Sequence, residues 1–156
     1  MVRIALALGT MMILASAVSS QFVEKKTVGL AIAKKIAAAA EAEAAKNHWT
    51  MAITILDDGG NVVYIERMDG TQIGSTDVSH GKARTALRFK RPSKEFADGI
   101  AKGNNAIITL DNVTAIQGGL PIIVDGQVAG AIGVSGATSE QDEQCALAGL
   151  KALSEK

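Results

Sequence analysis

Cysteine, histidine and aromatic residues are all scarce in this chain of 156 residues. One Cys and two His exclude a disulfide scaffold, a zinc finger and a multi-cysteine iron–sulfur site. Aromatics make up 3%, namely Phe22, Trp49, Tyr64, Phe89 and Phe96. The core must therefore be built from Ala, Val, Ile and Leu. Charge of one sign is also lacking, because 16 Lys and Arg balance 16 Asp and Glu. A strongly cationic nucleic-acid binder is not expected, since neutralising phosphates requires a positive excess. What is present is an apolar fraction of 47%, inside the globular range, and a length suited to one domain.

The N-terminus carries an export pattern. Arg3 precedes an uncharged run from Ile4 to Val18, too short for a comfortable membrane span. The run ends in Ala15-Ser16-Ala17, small-x-small as at a signal peptidase site. The other reading is an N-terminal core helix or an uncleaved anchor. Export assigns residues 1–17 to a signal peptide and 18–156 to a single domain, periplasmic or secreted. Cleavage leaves 139 residues and removes Arg3, so the charge becomes 15 − 16 = −1. No lipobox Cys accompanies the run, and no stable membrane anchor is expected. In an oxidising compartment the lone Cys145 is either buried or paired with another chain. Burial is favoured, because free Cys is among the most buried residue types.

The remaining chain reads as one α+β unit. Thr27 can cap a helix reaching Lys46, with Val28, Ile32, Ile36 and Ala39 at helical spacing. Trp49 to Leu56 and Val62 to Arg67 read as a hairpin around Asp57-Asp58-Gly59-Gly60-Asn61. A second helix is predicted from Asp77 to Lys90, capped by Thr76 and interrupted by Pro92. Ser93 opens a short third helix to Lys102. Ala106 to Leu110 reads as a third strand. Leu120 to Val124 and Gln127 to Ser135 form a second hairpin around Asp125-Gly126, a type I′ turn. Ser139-Glu140-Gln141-Asp142 resembles a capping box opening the last helix. The short connections predict a five-stranded antiparallel sheet covered by helices.

Residues 82 to 94 hold six basic residues and no acid: Lys82, Arg84, Arg88, Lys90, Arg91 and Lys94. Arg84, Arg88 and Arg91 fall at i, i+4 and i+7, one helix face. Guanidinium forks suit carboxylates and phosphates, so the face can bind an anionic ligand or an acidic partner. A merely solvated face is the alternative. His80 precedes this run, and His48 lies beside Trp49. Glycines 118, 119, 126, 130, 133 and 136 fall in or next to strands, where they permit close approach of a ligand or another subunit. No phosphate loop, nucleophile elbow or metal-spaced cluster is visible. Ser135, His80 and Asp142 make a triad only on paper.

Four ordered motifs resemble one family. Residues 53–69, with Asp-Asp-Gly-Gly-Asn-Val-Val before Arg67-Met68-Asp69, are similar to a V-x-D-x-x-G-x-L…R-M-D stretch. Lys82-Ala83-Arg84-Thr85-Ala86 matches K-A-x-T-A, and Gly118-Gly119-Leu120-Pro121 matches G-G-x-P. Gly130-Ala131-Ile132-Gly133-Val134-Ser135-Gly136, with Asp142 and Ala146, completes the pattern. Together they span nearly all of residues 27–153 and resemble the GlcG/HbpS haem-binding family, to which a PduO-type domain is related. The resemblance implies a profilin-like or PAS-like fold, a homo-oligomer, and haem or another tetrapyrrole as ligand. Lys82 and Thr85 are the site positions it carries over. His80 stands two residues before the motif; as iron ligand it is a local inference, and His48, Met51, Met68, Tyr64 and Cys145 are the other side chains able to serve. Arg84 and Arg88 would meet haem propionates. Two functions follow: an exported haem-binding protein for capture, buffering or sensing, or a small-molecule enzyme or accessory protein handling a carboxylate metabolite, with Arg67, Asp69 and His80.

Overall fold

A computed structural model describes residues 23–154. The expected signal peptide, residues 1–17, lies outside them. The elements run α1 (Leu30–Lys46), β1 (Ala52–Asp57), β2 (Val62–Arg67), α2 (Gly74–Phe89), α3 (Lys94–Ala101), a 3-10 helix (Asn105–Thr109), β3 (Gly119–Val124), β4 (Gln127–Ser135) and α4 (Ser139–Lys151). The sheet order is β2-β1-β4-β3, antiparallel throughout.

The sheet has four strands among the described residues, not five. Ala106 to Leu110, expected as a strand, lies in the 3-10 helix and its exit. The β-branched pair Ile107-Ile108 suggested extended backbone, but only Ile107 is buried, and Ile108 is 73% exposed. A Cβ at Gly99 would meet Ile107 Cδ1 at 2.5 Å, which places that side chain on α3 rather than in a sheet.

Alternation along β1 divides the core. Ile53 and Ile55 point to a cluster with Ile132, Val134, Leu120 and Ile122, covered by α1 and α4. Leu56 points the other way, with Ala131, to Ala83, Ala86 and Leu87 of α2. Each fully buried Ile or Leu contributes about 1.5–3 kcal/mol relative to exposure. In α1, the buried Ala33, Ile36, Ala37, Ala40 and Ala44 make a thin, strongly helical face. That face meets Cys145, Ala146 and Gly149 of α4.

Three boundaries differ from expectation. α1 begins after Gly29, not Thr27, because Val28 N–H is used by Ala129 O and the preceding segment runs extended beside β4. α2 begins at Gly74, so Thr76 and Asp77 lie inside its first turn. The capping box of α4 is Thr138 with Gln141, one residue earlier than read from the sequence. The Asp125-Gly126 turn does show φ of 51° and 75°, the type I′ requirement.

Candidate functional site

α2 lies across β4, β1 and β3. Gly133 makes this possible: a Cβ there would collide with Ser79 O and Ala83 N. Gly130 is likewise filled by Leu56 O, and Gly136 by Thr50 O. These glycines therefore serve close packing inside the chain, not the approach of a ligand or a second subunit. Thr54 and Ser79 hydroxyls fix the helix laterally at 2.8 Å.

Residues on α2 are set about 100° apart, so its sides carry different roles. Toward β4 and α4, Lys82 is 1% exposed. Its Nζ donates to Asp142 Oδ2 at 2.6 Å and Val134 O at 2.9 Å. Asp142 Oδ1 accepts from Ala137 N–H. Burial drives the Lys82 pKa down and the Asp142 pKa up, and their contact opposes both shifts. On another side Thr85, also fully buried, donates its Oγ1 proton to Gly81 O and accepts from Thr114 N–H. Thr85 thereby ties down the loop before β3.

The remaining side faces the β1–β2 turn. Arg84, Leu87, Arg88 and Lys90 meet Asp58, Gly59 and Gly60 around a cavity of about 420 Å³. A Cβ on Gly60 would touch Leu87 Cδ2 at 3.5 Å. Three cations and one acid give a local charge of 3 − 1 = +2. Arg84 Nε is shielded from solvent and has no hydrogen-bond partner among the described residues, so the cavity receives the charge of the guanidinium and not this N–H.

The structure thus brings Arg84 and Arg88 to one cavity, and neither Lys82, Thr85 nor His80 is among its walls. His80 is half-buried on α2, one turn before Arg84. Arg91, third in the expected basic face, is turned onto the Phe96 ring at 4.2 Å. Asp142 is committed to Lys82 and Ala137, so the paper triad has no free carboxylate. The turn residues Asp58, Gly59 and Gly60 were visible in the sequence only as a turn. Beside the cavity, Ile65 and Val62 oppose Thr54 and Leu56 across the strands, hence share the α2 side of the sheet. They are 41% and 49% exposed, an apolar shelf that α2 does not cover. Burial pushes the Cys145 thiol up to about 12, with Glu43 and Asp142 adding to the shift, so it is inert.

Among the described residues, a four-stranded antiparallel sheet with helices on both faces and a basic cavity at one hairpin end defines a small α+β domain. The family profile described as "Haem degrading protein HbpS-like" matches residues 28–151, and the chain belongs to that family. Protein GlcG of Escherichia coli is 40% identical over 104 residues, covering 67% of this chain and 78% of GlcG. The crystal structure of Klebsiella pneumoniae ORFY superposes with a TM-score of 0.83 at 33% identity, over 87% of this chain and 97% of ORFY. The PduOC–haem complex superposes with a TM-score of 0.75 at 25% identity, over 81% of this chain and 94% of PduOC.

Proposed function

We propose that this chain binds haem or a closely related tetrapyrrole beside α2, as an exported protein that captures, buffers or senses it. The carrying observation is the cavity lined by Arg84, Arg88 and Lys90, none of which has an ion-pair partner among the described residues. That donor set fits the carboxylates of the ligand, and the Val62–Ile65 shelf offers an apolar surface for its flat body. Haem would supply an iron centre when bound. The chain's own part is to hold the carboxylates with Arg84 and Arg88 and to present His80 one turn away. Support comes from the haem-related description of the family and from the haem complex of PduOC. The few apolar walls of the cavity itself are consistent with a homo-oligomer completing the enclosure.

Titration with hemin tests the reading. Arg84→Ala and Arg88→Ala should each weaken binding about tenfold, the loss of one charge-assisted bond. His80→Ala should alter the haem absorption spectrum if the imidazole reaches iron. Unchanged affinity and spectrum in all three variants would place the site elsewhere. For export, N-terminal sequencing of protein from native cells should find a chain starting near Val18; a mature pool beginning at Met1 would sink that part alone.

A further inference from the structure

A second cavity of about 340 Å³ opens on the other side of Lys90, between the segment before α1 and the β3–β4 turn. Lys25, Lys26, Asp58, Lys90 and Gln127 are among its walls. Asp58 and Lys90 line both cavities, so the two are parts of one trough across the hairpin end of the sheet. Five cations, Lys25, Lys26, Arg84, Arg88 and Lys90, face Asp58 there, and with Asp125 beside Lys26 the balance is 5 − 2 = +3.

The pairing is incomplete. Lys26 meets Asp125 at 3.4 Å and Lys25 meets Asp58 at 3.7 Å. Arg84, Arg88 and Lys90 have no ion-pair partner among the described residues. The extended segment that carries Lys25 and Lys26 is pinned in place, because Lys26 N–H donates to Gln127 Oε1 and Val28 N–H to Ala129 O.

Lys90 closes α2 in the left-handed conformation, φ 54°, as His48 does after α1 with φ 59°. What sets Lys90 apart is its place, where the two cavities meet. The negative end of the helix dipole accounts for cations at 88 and 90. It does not account for Lys25 and Lys26, which come from the segment before α1, or for Arg84, more than a turn inside the helix.

We propose that the trough is a binding site for a compact polyanion with two or more oxyanion groups, a polycarboxylate or a pyrophosphate-like compound. Arg84 and Arg88 hold one end, Lys25 and Lys26 the other, and Lys90 the middle. Asp58 opposes the ligand's charge and limits its affinity. The site shares Arg84 and Arg88 with the haem reading, yet does not depend on it, and the two ligands should compete.

Calorimetric titration of the haem-free full chain with citrate and with pyrophosphate at low ionic strength tests this. One anion should bind per chain, and which of the two binds tells the polycarboxylate from the phosphate source. Lys90→Gly and Arg88→Ala should each weaken binding about tenfold, and Asp58→Asn should tighten it several-fold. Lys90→Gly should melt no lower than the parent, because glycine relieves the left-handed strain. That opposition of stability and affinity is not expected from a helix-ending lysine alone. Binding of neither anion, or binding untouched by Lys90→Gly and Arg88→Ala, would overturn the proposal. Hemin binding retained without anion binding sinks this site only; anion binding without hemin binding sinks the haem reading only.

Discussion

Glu66 on β2 carries a charge in an unfavourable place. Its Oε2 accepts from Tyr64 O–H at 2.8 Å, while Oε1 is shielded and has no partner among the described residues. Burial raises its pKa above 4.5, the Tyr64 hydroxyl opposes the shift, and the Glu41 carboxylate adds to it. The folded chain therefore holds this proton more tightly than the unfolded chain. Its contribution to stability is greatest below pH 4.5 and is lost as pH rises through the raised folded value. Glu66→Gln keeps an acceptor for Tyr64 and removes the charge. The variant should be more stable at pH 7, by at most about 1 kcal/mol given the partial exposure. It should also lose less stability between pH 4 and pH 7, as read by urea unfolding; an unchanged pH slope would count against this account. At the same scale, the sequence showed Arg84 and Arg88 as a pair because four-residue spacing on a helix is local information. Asp58 and Lys25 were not legible as neighbours of Arg88 or Lys90, because only the folded sheet brings them together.

At the scale of elements, α2 is held by one buried ion pair and by packing of small residues. Lys82 and Asp142 are 1% and 4% exposed at their side chains and join α2 to the start of α4. The desolvation of two charges offsets most of their attraction, so the pair specifies position more than it stabilises. Lys82→Met alone leaves a buried carboxylate and should cost about 3–5 kcal/mol; Lys82→Met with Asp142→Leu should recover most of that loss. A double-mutant cycle by chemical denaturation measures it, and additive losses would refute the coupling. The sequence located Lys82 but assigned it to a ligand, since a lysine on a basic helix gives no sign of which side is covered. Helices and hairpins were readable because periodicity and turn residues are local: Asp125-Gly126 demanded its hairpin. The strand expected at Ala106 to Leu110 failed because β-branched residues mark a buried surface only when a neighbouring strand is there to pair. Here the segment pairs with neither edge strand, β2 nor β3, and Ile107 packs on α3 instead.

For the whole molecule, charge is balanced overall yet concentrated as cations at the hairpin end of the sheet. A ligand that binds only the folded chain must stabilise it by mass action, about 2.7 kcal/mol at a hundredfold excess over the dissociation constant. For a domain of this size that corresponds to a rise in melting temperature on the order of 10 °C. Hemin at such an excess should therefore raise the melting temperature of the parent chain. Under the same hemin concentration, Arg84→Ala and Arg88→Ala should show a smaller rise, while their melting temperatures without hemin stay near the parent's, because neither side chain has an ion-pair partner to lose among the described residues. The cavity faces solvent, so added salt screens its charges and should shrink the hemin-induced rise as ionic strength goes from about 0.01 M to 1 M. The apolar shelf of Val62 and Ile65 responds in the opposite sense to an excluded, uncharged osmolyte such as sucrose, which strengthens burial of apolar surface and does not compete for the cations. A chloride series and a sucrose series thus separate the two ends of the ligand. A rise of equal size in parent and arginine variants, insensitive to chloride, would mean that hemin binds by its flat face alone, away from the basic cavity.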